Sequence, residues 1–186
     1  MFIHWLYPLN HIYATGGLIL LGATFVLFYD YFFNDSALYR RWLAPLVWHM
    51  IVVATVGGVI SSLVYSEYFG FVPCSLCWLQ RIALYPQALL SIMAYRLKEA
   101  VYFPLYGIAL SLFGIVVGVY QYFYQLVPAE VSGELLPCLA DGGVDCSIRS
   151  IEVYGFVTFP FLSVVLFLFL TVLYMNLRRE TVRSGA

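Results

Sequence analysis

Charged residues are scarce in this sequence. They make up 10% of its 186 residues, whereas 63% are hydrophobic and 19% are aromatic. A soluble domain of this length carries about 25% charged residues. So few charges cannot cover a surface that faces water, whereas a surface that faces lipid needs hardly any. The composition therefore excludes an ordinary soluble domain and predicts an integral membrane protein.

The sequence also lacks the features of nucleic-acid-binding and modular proteins. The net charge is −1, and the basic residues form only short clusters such as Arg178, Arg179 and Arg183. There is no basic patch that would attract a phosphate backbone. No linker rich in Gly, Ser or Pro and no internal repeat divides the chain. We expect one integral membrane domain, residues 1–186, without a nucleic-acid partner.

Long apolar runs define the expected membrane topology. A helix needs about 20 apolar residues to cross the hydrocarbon core. Runs of about this length occupy residues 12–29, 43–65, 76–95, 101–124 and 153–177. The third reaches this length only if residues 76–81 form its first turns. We therefore predict an all-α membrane protein with five spans and with its termini on opposite sides.

Basic residues are distributed unevenly between the two sides of these spans. The side richer in Lys and Arg normally faces the cytoplasm. We expect the N-terminus and all four cysteines outside and the C-terminus in the cytoplasm. Residues 1–11 contain no Lys or Arg and no small-residue cleavage site follows, so the first span is predicted to be retained rather than removed as a signal peptide. This orientation leaves Arg81 and Arg149 outside and places seven of the nine Lys and Arg inside: Arg40, Arg41, Arg96, Lys98, Arg178, Arg179 and Arg183.

The four cysteines fall in two pairs in the predicted outer segments. Cys74 and Cys77 precede or open the third span, and Cys138 and Cys146 lie in the last loop. Buried free thiols, structural disulfides, a metal site and a redox centre are all consistent with four cysteines. The wide spacing of the second pair and the lack of a nearby histidine disfavour zinc or an iron–sulfur cluster. We therefore predict no metal.

The segment around the first pair has the properties of a redox centre. Pro73 is suited to opening a helix, so Cys74 is expected on the first turn, where the helix dipole stabilises a thiolate. Arg81 lies one turn beyond Cys77, at a depth where a charge is costly and usually functional. It can stabilise a Cys77 thiolate and polarise the carbonyl of a bound oxidant, although an arginine snorkelling to the headgroups is the simpler alternative. Trp78 and Tyr85 are candidates for the walls of a flat-ring pocket.

The last loop is expected to expose its cysteines. The stretch "CLADGGVDC", which ends at Cys146, is rich in Gly and Asp and can turn freely. A disulfide between the two cysteines of this stretch would close a loop of only about eight residues. It would constrain little of the unfolded chain and would stabilise the fold only modestly. An exposed bridge is more useful in thiol–disulfide exchange. We expect Cys146 to approach Cys74.

Several motifs resemble one bacterial family. "PCSLCWLQR" followed by "LYP", then "PCLADGGVDC" and "GFVTFPFL", are similar to the disulfide bond formation protein B (DsbB) family, and most similar to its BdbC-like branch. The resemblance covers about residues 45–178. It implies a DsbB-like four-helix transmembrane core at about residues 43–178, preceded by one extra N-terminal transmembrane helix at about residues 12–29. The extra helix and the short second cysteine loop depart from the best-known members.

The resemblance also implies an activity and residue roles. It implies a quinone-dependent disulfide oxidoreductase of the bacterial cytoplasmic membrane that reoxidises a thioredoxin-like, DsbA-type partner and reduces ubiquinone or menaquinone. The quinone-coupled disulfide is then Cys74–Cys77, with Cys77 facing the quinone and Arg81 as its essential arginine. The loop disulfide is Cys138–Cys146, and Cys138 is attacked by the partner. A non-enzymatic membrane scaffold with structural disulfides is the alternative.

Overall fold

The described part of the chain is almost entirely helical. The computed structural model describes residues 3–127, 146–147, 149 and 151–185, with side chains from residue 6 onward. Within these residues, two π-helical turns, Tyr39–Leu43 and Val64–Tyr68, flank the second α-helix, and the β pairing is limited to an isolated bridge between Val153 and Val157. The α-helices are α1 Ile3–Phe33, α2 Val47–Leu63, α3 Ser75–Leu97, α4 Phe103–Tyr124 and α5 Phe159–Ser184. The predicted all-α class is confirmed.

Four segments of the described chain are long and apolar enough to cross a membrane. They are Leu6–Phe33, Val47–Tyr68, Phe103–Tyr124 and Phe159–Ser184. The protein is therefore a multi-pass membrane protein. The predicted third span corresponds to α3, which has 23 residues but does not reach the same apolarity. Its sequence includes Gln80, Arg81, Gln87 and Arg96.

The outer helices differ in length from the predicted runs. Helix α1 extends beyond the apolar run 12–29 at both ends. Helix α5 begins at Phe159, six residues later than predicted, because residues 153–157 form a tight turn closed by the Val153–Val157 bridge. Tyr154 and Gly155 adopt positive φ angles of 57° and 76° in this turn, a conformation that a helix cannot contain. Hydropathy alone does not separate such an apolar turn from the span that follows.

Consecutive helices run antiparallel. Tyr65, in the π-helical turn after α2, donates a hydrogen bond to Asn10 near the start of α1, and Tyr95 near the end of α3 bonds His49 near the start of α2. Gln80 in α3 and Gln121 in α4 bond each other. The start of α3, the end of α4 and the start of α5 therefore lie at one end of the bundle, which we call the cysteine end. The opposite end, which we call the basic end, carries the seven basic residues predicted to face the cytoplasm.

The polar residues of α3 are accommodated by its neighbours. Gln87 is fully buried, and its Oε1 accepts hydrogen bonds from Ser111 Oγ of α4 at 3.1 Å and Tyr174 Oη of α5 at 3.0 Å. The buried hydroxyls of Thr55 in α2 and Ser91 in α3 lie 2.9 Å apart. An unsatisfied polar group costs several kcal/mol away from water. Pairing with neighbouring helices therefore allows α3 to be less apolar than the other helices.

Helix α1 is firmly attached to the remaining helices. Gly17 allows a close approach to α5, since a Cβ atom at this position would lie 2.3 Å from Leu162 Cδ2. At the basic end, Asp35 forms ion pairs with Arg40 at 3.8 Å, with Arg179 at 3.0 Å and with Arg183. The Arg183 guanidinium that bonds Asp35 lowers the pKa of this exposed carboxyl. Helix α1 thus contacts α5 near its middle, and the turn that follows α1 is tied to the end of α5.

Candidate functional site

The first cysteine pair lies at the beginning of α3. Cys74 is the N-cap residue, with extended backbone angles, and its Sγ accepts a hydrogen bond from the Cys77 N–H at 3.4 Å. Cys74 therefore lies just before the first turn of α3, whereas the sequence predicts it on that turn. One helical turn brings Cys77 Sγ to 2.8 Å from Cys74 Sγ. Both thiols are free.

The two sulfurs are not equivalent. Cys74 is buried and shares a hydrogen bond with Cys77 Sγ, and this hydrogen bond together with burial raises the pKa of Cys74 above its ordinary value. The negative charge of the pair therefore belongs on Cys77. The thiolate predicted at Cys74 stays a prediction: burial and the hydrogen bond with Cys77 Sγ act against it, whereas the Cys77 N–H that Cys74 Sγ accepts acts in its favour.

Gln121 is a site residue that the sequence analysis missed. Its side chain is buried, and its Nε2 lies 3.3 Å from Cys74 Sγ and 3.4 Å from Cys77 Sγ. Its Oε1 accepts a hydrogen bond from Gln80 Nε2 at 2.6 Å, which fixes the amide with its N–H groups towards the sulfurs. One feature of the sequence points to Gln121: it is an amide side chain in the last turn of an apolar helix. Gln121 thus orients the pair and stabilises negative charge on it.

Arg81 is held in place without being neutralised. Its Nε donates to Ser62 Oγ at 3.0 Å and its Nη2 donates to the Ser62 carbonyl at 3.1 Å. The guanidinium also lies over the Trp78 ring, 5.1 Å from its centroid. Within the described residues, no carboxylate forms an ion pair with Arg81. Its positive charge therefore remains available to Cys77 and to a ligand.

A cavity of about 540 Å³ adjoins Cys77 and Arg81. Helices α1, α2, α3 and α5 supply most of its largely apolar lining. This volume is within the range of small-molecule sites in proteins. Trp78 and Tyr85, predicted as pocket walls, are not part of the lining. Trp78 instead stacks on Arg81, and Tyr85 packs against the bundle core.

Cys146, of the second cysteine pair, lies against the first pair at the cysteine end. Cys146 is disulfide-bonded, and its side chain is buried against Cys74 and Tyr124. The expectation that this residue is exposed is wrong, whereas its predicted approach to Cys74 agrees with the packing. Cys138, its predicted partner, lies outside the described residues.

The segment that carries Cys146 is anchored to the end of α4. Gln125 Nε2 donates to the Cys146 carbonyl at 3.5 Å. Arg149 donates to the Gln125 carbonyl from Nε at 3.1 Å and from Nη2 at 2.7 Å, and it pairs with Glu152 at 3.3 Å. Arg149 thus fixes the backbone beside the second cysteine site.

Comparisons with known proteins identify related sequences. Residues 44–177 match the family model described as disulfide bond formation protein DsbB. A probable disulfide formation protein from Oceanobacillus iheyensis is 36% identical over 145 residues, covering 77% of this chain and 93% of the relative. Disulfide bond formation protein C from Bacillus subtilis is 33% identical over 148 residues, with the same coverage. No solved structure matches the chain significantly. The chain therefore belongs to the DsbB family of disulfide bond formation proteins.

Proposed function

We propose that this protein is a thiol:quinone oxidoreductase that reoxidises a thioredoxin-like, DsbA-type partner and passes the electrons to ubiquinone or menaquinone. The observation that carries the proposal is the position of one cysteine pair between two environments. Cys77 lines the apolar cavity with Arg81, whereas Cys74 packs against disulfide-bonded Cys146. A pair in this position can receive electrons by disulfide exchange on one side and release them into the membrane on the other.

This placement supports the following exchange steps. The partner's two thiols reduce the Cys138–Cys146 disulfide and become a disulfide themselves. The Cys146 thiolate then attacks Cys74 in the oxidised Cys74–Cys77 pair, and Cys77 leaves as a thiolate. Attack by Cys138 on the mixed disulfide restores Cys138–Cys146 and releases Cys74. Each exchange moves two electrons, and the hydrogen bond from Gln121 and the charge of Arg81 stabilise the departing Cys77.

The cavity suits a quinone. Its lining is apolar enough for a ring and a hydrocarbon tail, and its polar members include Cys77 and the unneutralised Arg81. When bound, a quinone supplies an acceptor for two electrons and two protons. Cys77 would face that acceptor, and Arg81 would stabilise negative charge on the Cys77 thiolate and on an acceptor oxygen. Ser62 and Trp78 hold the guanidinium in this position.

The charge distribution supports a location in the bacterial cytoplasmic membrane with the cysteine end outside. The basic end carries seven of the nine Lys and Arg of the chain. The positive-inside rule places that end in the cytoplasm. Exchange between Cys146 and the partner then takes place in the oxidising compartment, where disulfides form and persist.

Turnover with purified components tests the proposal. Detergent-solubilised protein is mixed with a reduced thioredoxin-like partner and a ubiquinone or menaquinone analogue, and quinone absorbance is followed. We expect quinone reduction that depends on both the partner and the protein. The Cys77→Ser variant should be inactive, while Ser75→Ala, a neighbouring change that leaves both sulfurs in place, should retain activity. No quinone reduction by the wild type, or equal reduction by Cys77→Ser, would overturn the proposal.

A further inference from the structure

One wall of the cavity comes from a helix outside the family match. Helix α1 precedes residues 44–177, yet Tyr13, Gly16 and Leu20 of this helix line the same cavity as Cys77 and Arg81. Two contacts tie α1 to α2 near the cysteine end. Ser61 Oγ lies 3.0 Å from Tyr13 Oη, and Tyr65 Oη lies 2.8 Å from Asn10 Oδ1. Helix α1 therefore encloses a space that α2, α3 and α5 alone would leave open on that side.

The cavity opens sideways between α1 and α2. Ile12 of α1 and Val53 of α2 both line it, yet they are 66% and 70% exposed. Gly16 follows Ile12 by one helical turn and Gly57 follows Val53 by one helical turn, and because the two helices run antiparallel these steps bring the glycines towards the same level; both line the cavity. A Cβ atom at either glycine would have no heavy atom within 4 Å. The two glycines thus leave a gap between helices whose outer surfaces are apolar.

The gap lies deeper in the bilayer than the redox site. Arg81 is bonded to Ser62 of α2, and Gly57 precedes Ser62 by five residues on the same helix. At 1.5 Å per residue, the gap is about 7.5 Å closer to the middle of the membrane than the guanidinium. A ligand whose polar ring reaches Arg81 would therefore extend its apolar remainder towards this gap.

We propose that α1 and α2 form a lateral entrance from the bilayer, and that the gap at Gly16 and Gly57 holds the isoprenoid tail of the quinone. This inference rests on the proposed function. It assigns the extra N-terminal helix a role in selecting the electron acceptor: α1 favours tailed quinones because the gap buries apolar tail surface. A large side chain at Gly16 or Gly57 fills the space that the tail needs.

The test compares two electron acceptors, one a benzoquinone with an isoprenoid tail and the other the same ring without a tail. For Gly16→Leu in full-length protein we expect the KM of the tailed quinone to rise about tenfold, with the KM of the tailless ring unchanged. Gly57→Leu on the opposite wall should give the same pattern. Gly22→Leu is the matched control, because Gly22 lies on α1 with open space at its Cβ but does not line the cavity. It should change neither KM.

The outcomes separate this inference from the proposed function. If the wild type reduces neither quinone, the proposed function fails. If the wild type reduces both and the glycine variants leave the KM of the tailed quinone unchanged, only the entrance proposal fails. An equal rise for both quinones would also overturn the assignment of the gap to the tail. Oxidation of the reduced partner by the loop disulfide in a single turnover, measured without quinone, should be unchanged in Gly16→Leu and verifies that the variant is folded.

Discussion

Arg81 is the residue whose physical setting most directly supports a quinone site. A guanidinium at the edge of an apolar helix is costly unless it is used. Its contacts with Ser62 and Trp78 are neutral, so they orient the charge without cancelling it. Snorkelling to the headgroups, the alternative that the sequence left open, does not require such fixation beside a cavity. The electrostatic role proposed for Arg81, towards Cys77 and an acceptor, accounts for both the retained charge and its fixed position.

Replacing Arg81 should weaken quinone use without affecting the partner. We expect Arg81→Ala to raise the KM for quinone by about tenfold to a hundredfold, because a charge-assisted hydrogen bond contributes about 1.5–3 kcal/mol. The KM for the thioredoxin-like partner should remain within about twofold of the wild type, since Arg81 lines the cavity and is not part of the contact between Cys74 and Cys146. Steady-state kinetics with each substrate varied in turn measures both. Loss of partner exchange with an unchanged KM for quinone would show that Arg81 acts in the exchange with the partner and not in quinone reduction.

Gln121 should influence the reactivity of the cysteine pair. In Gln121→Leu both sulfurs lose an N–H donor, so the Cys77 thiolate becomes less stable. We expect alkylation of the reduced pair by iodoacetamide at neutral pH to slow by about tenfold. Gln121→Asn, which keeps the amide but shortens the side chain, should recover part of the rate. An alkylation rate unaffected by Gln121→Leu would contradict a role in stabilising the thiolate.

At the scale of helices and turns, Glu99 organises the connection between α3 and α4. Its carboxylate accepts hydrogen bonds from the N–H groups of Val101, Tyr102 and Phe103. Partial burial would raise the pKa of Glu99, but these three donors outweigh it and hold the pKa below its ordinary value. The carboxylate therefore serves as the cap of α4 at the basic end.

Loss of this cap should destabilise the protein in a pH-dependent way. Glu99→Gln is expected to lower the free energy of unfolding by about 1 kcal/mol at neutral pH. Because the folded pKa is depressed, the stabilisation is fully present above the unfolded pKa of about 4.5 and is lost as the pH falls through the folded value. Thermal unfolding of both forms at pH 7 and at pH 3 measures the difference. A difference that persists undiminished at pH 3 would contradict the ionised cap.

The contact between α1 and α5 can be tested by a steric swap. Gly17→Val places methyl groups where Leu162 now packs, and such overpacking costs about 1–3 kcal/mol. Leu162→Ala should restore stability to the double variant, because it removes the side chain that collides. Melting temperatures of the two single variants and the double variant form the cycle. If the losses of stability in the two single variants simply add in the double variant, residues 17 and 162 do not interact.

Apolar runs and basic clusters were sufficient to predict the helices but not their boundaries. Residues 153–158 are apolar like the helix that follows, so hydropathy predicts one continuous helix, whereas the positive φ of Tyr154 and Gly155 breaks it. The cysteine site was predicted because Cys74, Cys77 and Arg81 are close in sequence. Gln121 was missed because it is 44 positions from Cys77 and reaches it only through the packing of α4. Burial of Cys146 likewise depends on contacts that no local pattern encodes.

At the scale of the whole molecule, the proposed function requires the cysteine end to lie on the outer side of the cytoplasmic membrane. In a variant whose native cysteines are all serine, single cysteines are introduced by Glu67→Cys at the cysteine end or Lys98→Cys at the basic end. A membrane-impermeant maleimide added to intact cells should label the first, and should label the second only after permeabilisation. The opposite pattern would reverse the orientation and remove Cys146 from the oxidising compartment.

The central claim is that Cys77 transfers the electrons of both cysteine pairs to a quinone. The most direct measurement is the amount of quinone reduced by fully reduced protein in a single turnover without partner. Because each dithiol carries two electrons, we expect the wild type to reduce about twice as much quinone as a Cys138→Ser, Cys146→Ser double variant, and Cys77→Ser to reduce none. Equal yields from the wild type and Cys77→Ser, or no reduction by either, would contradict the account.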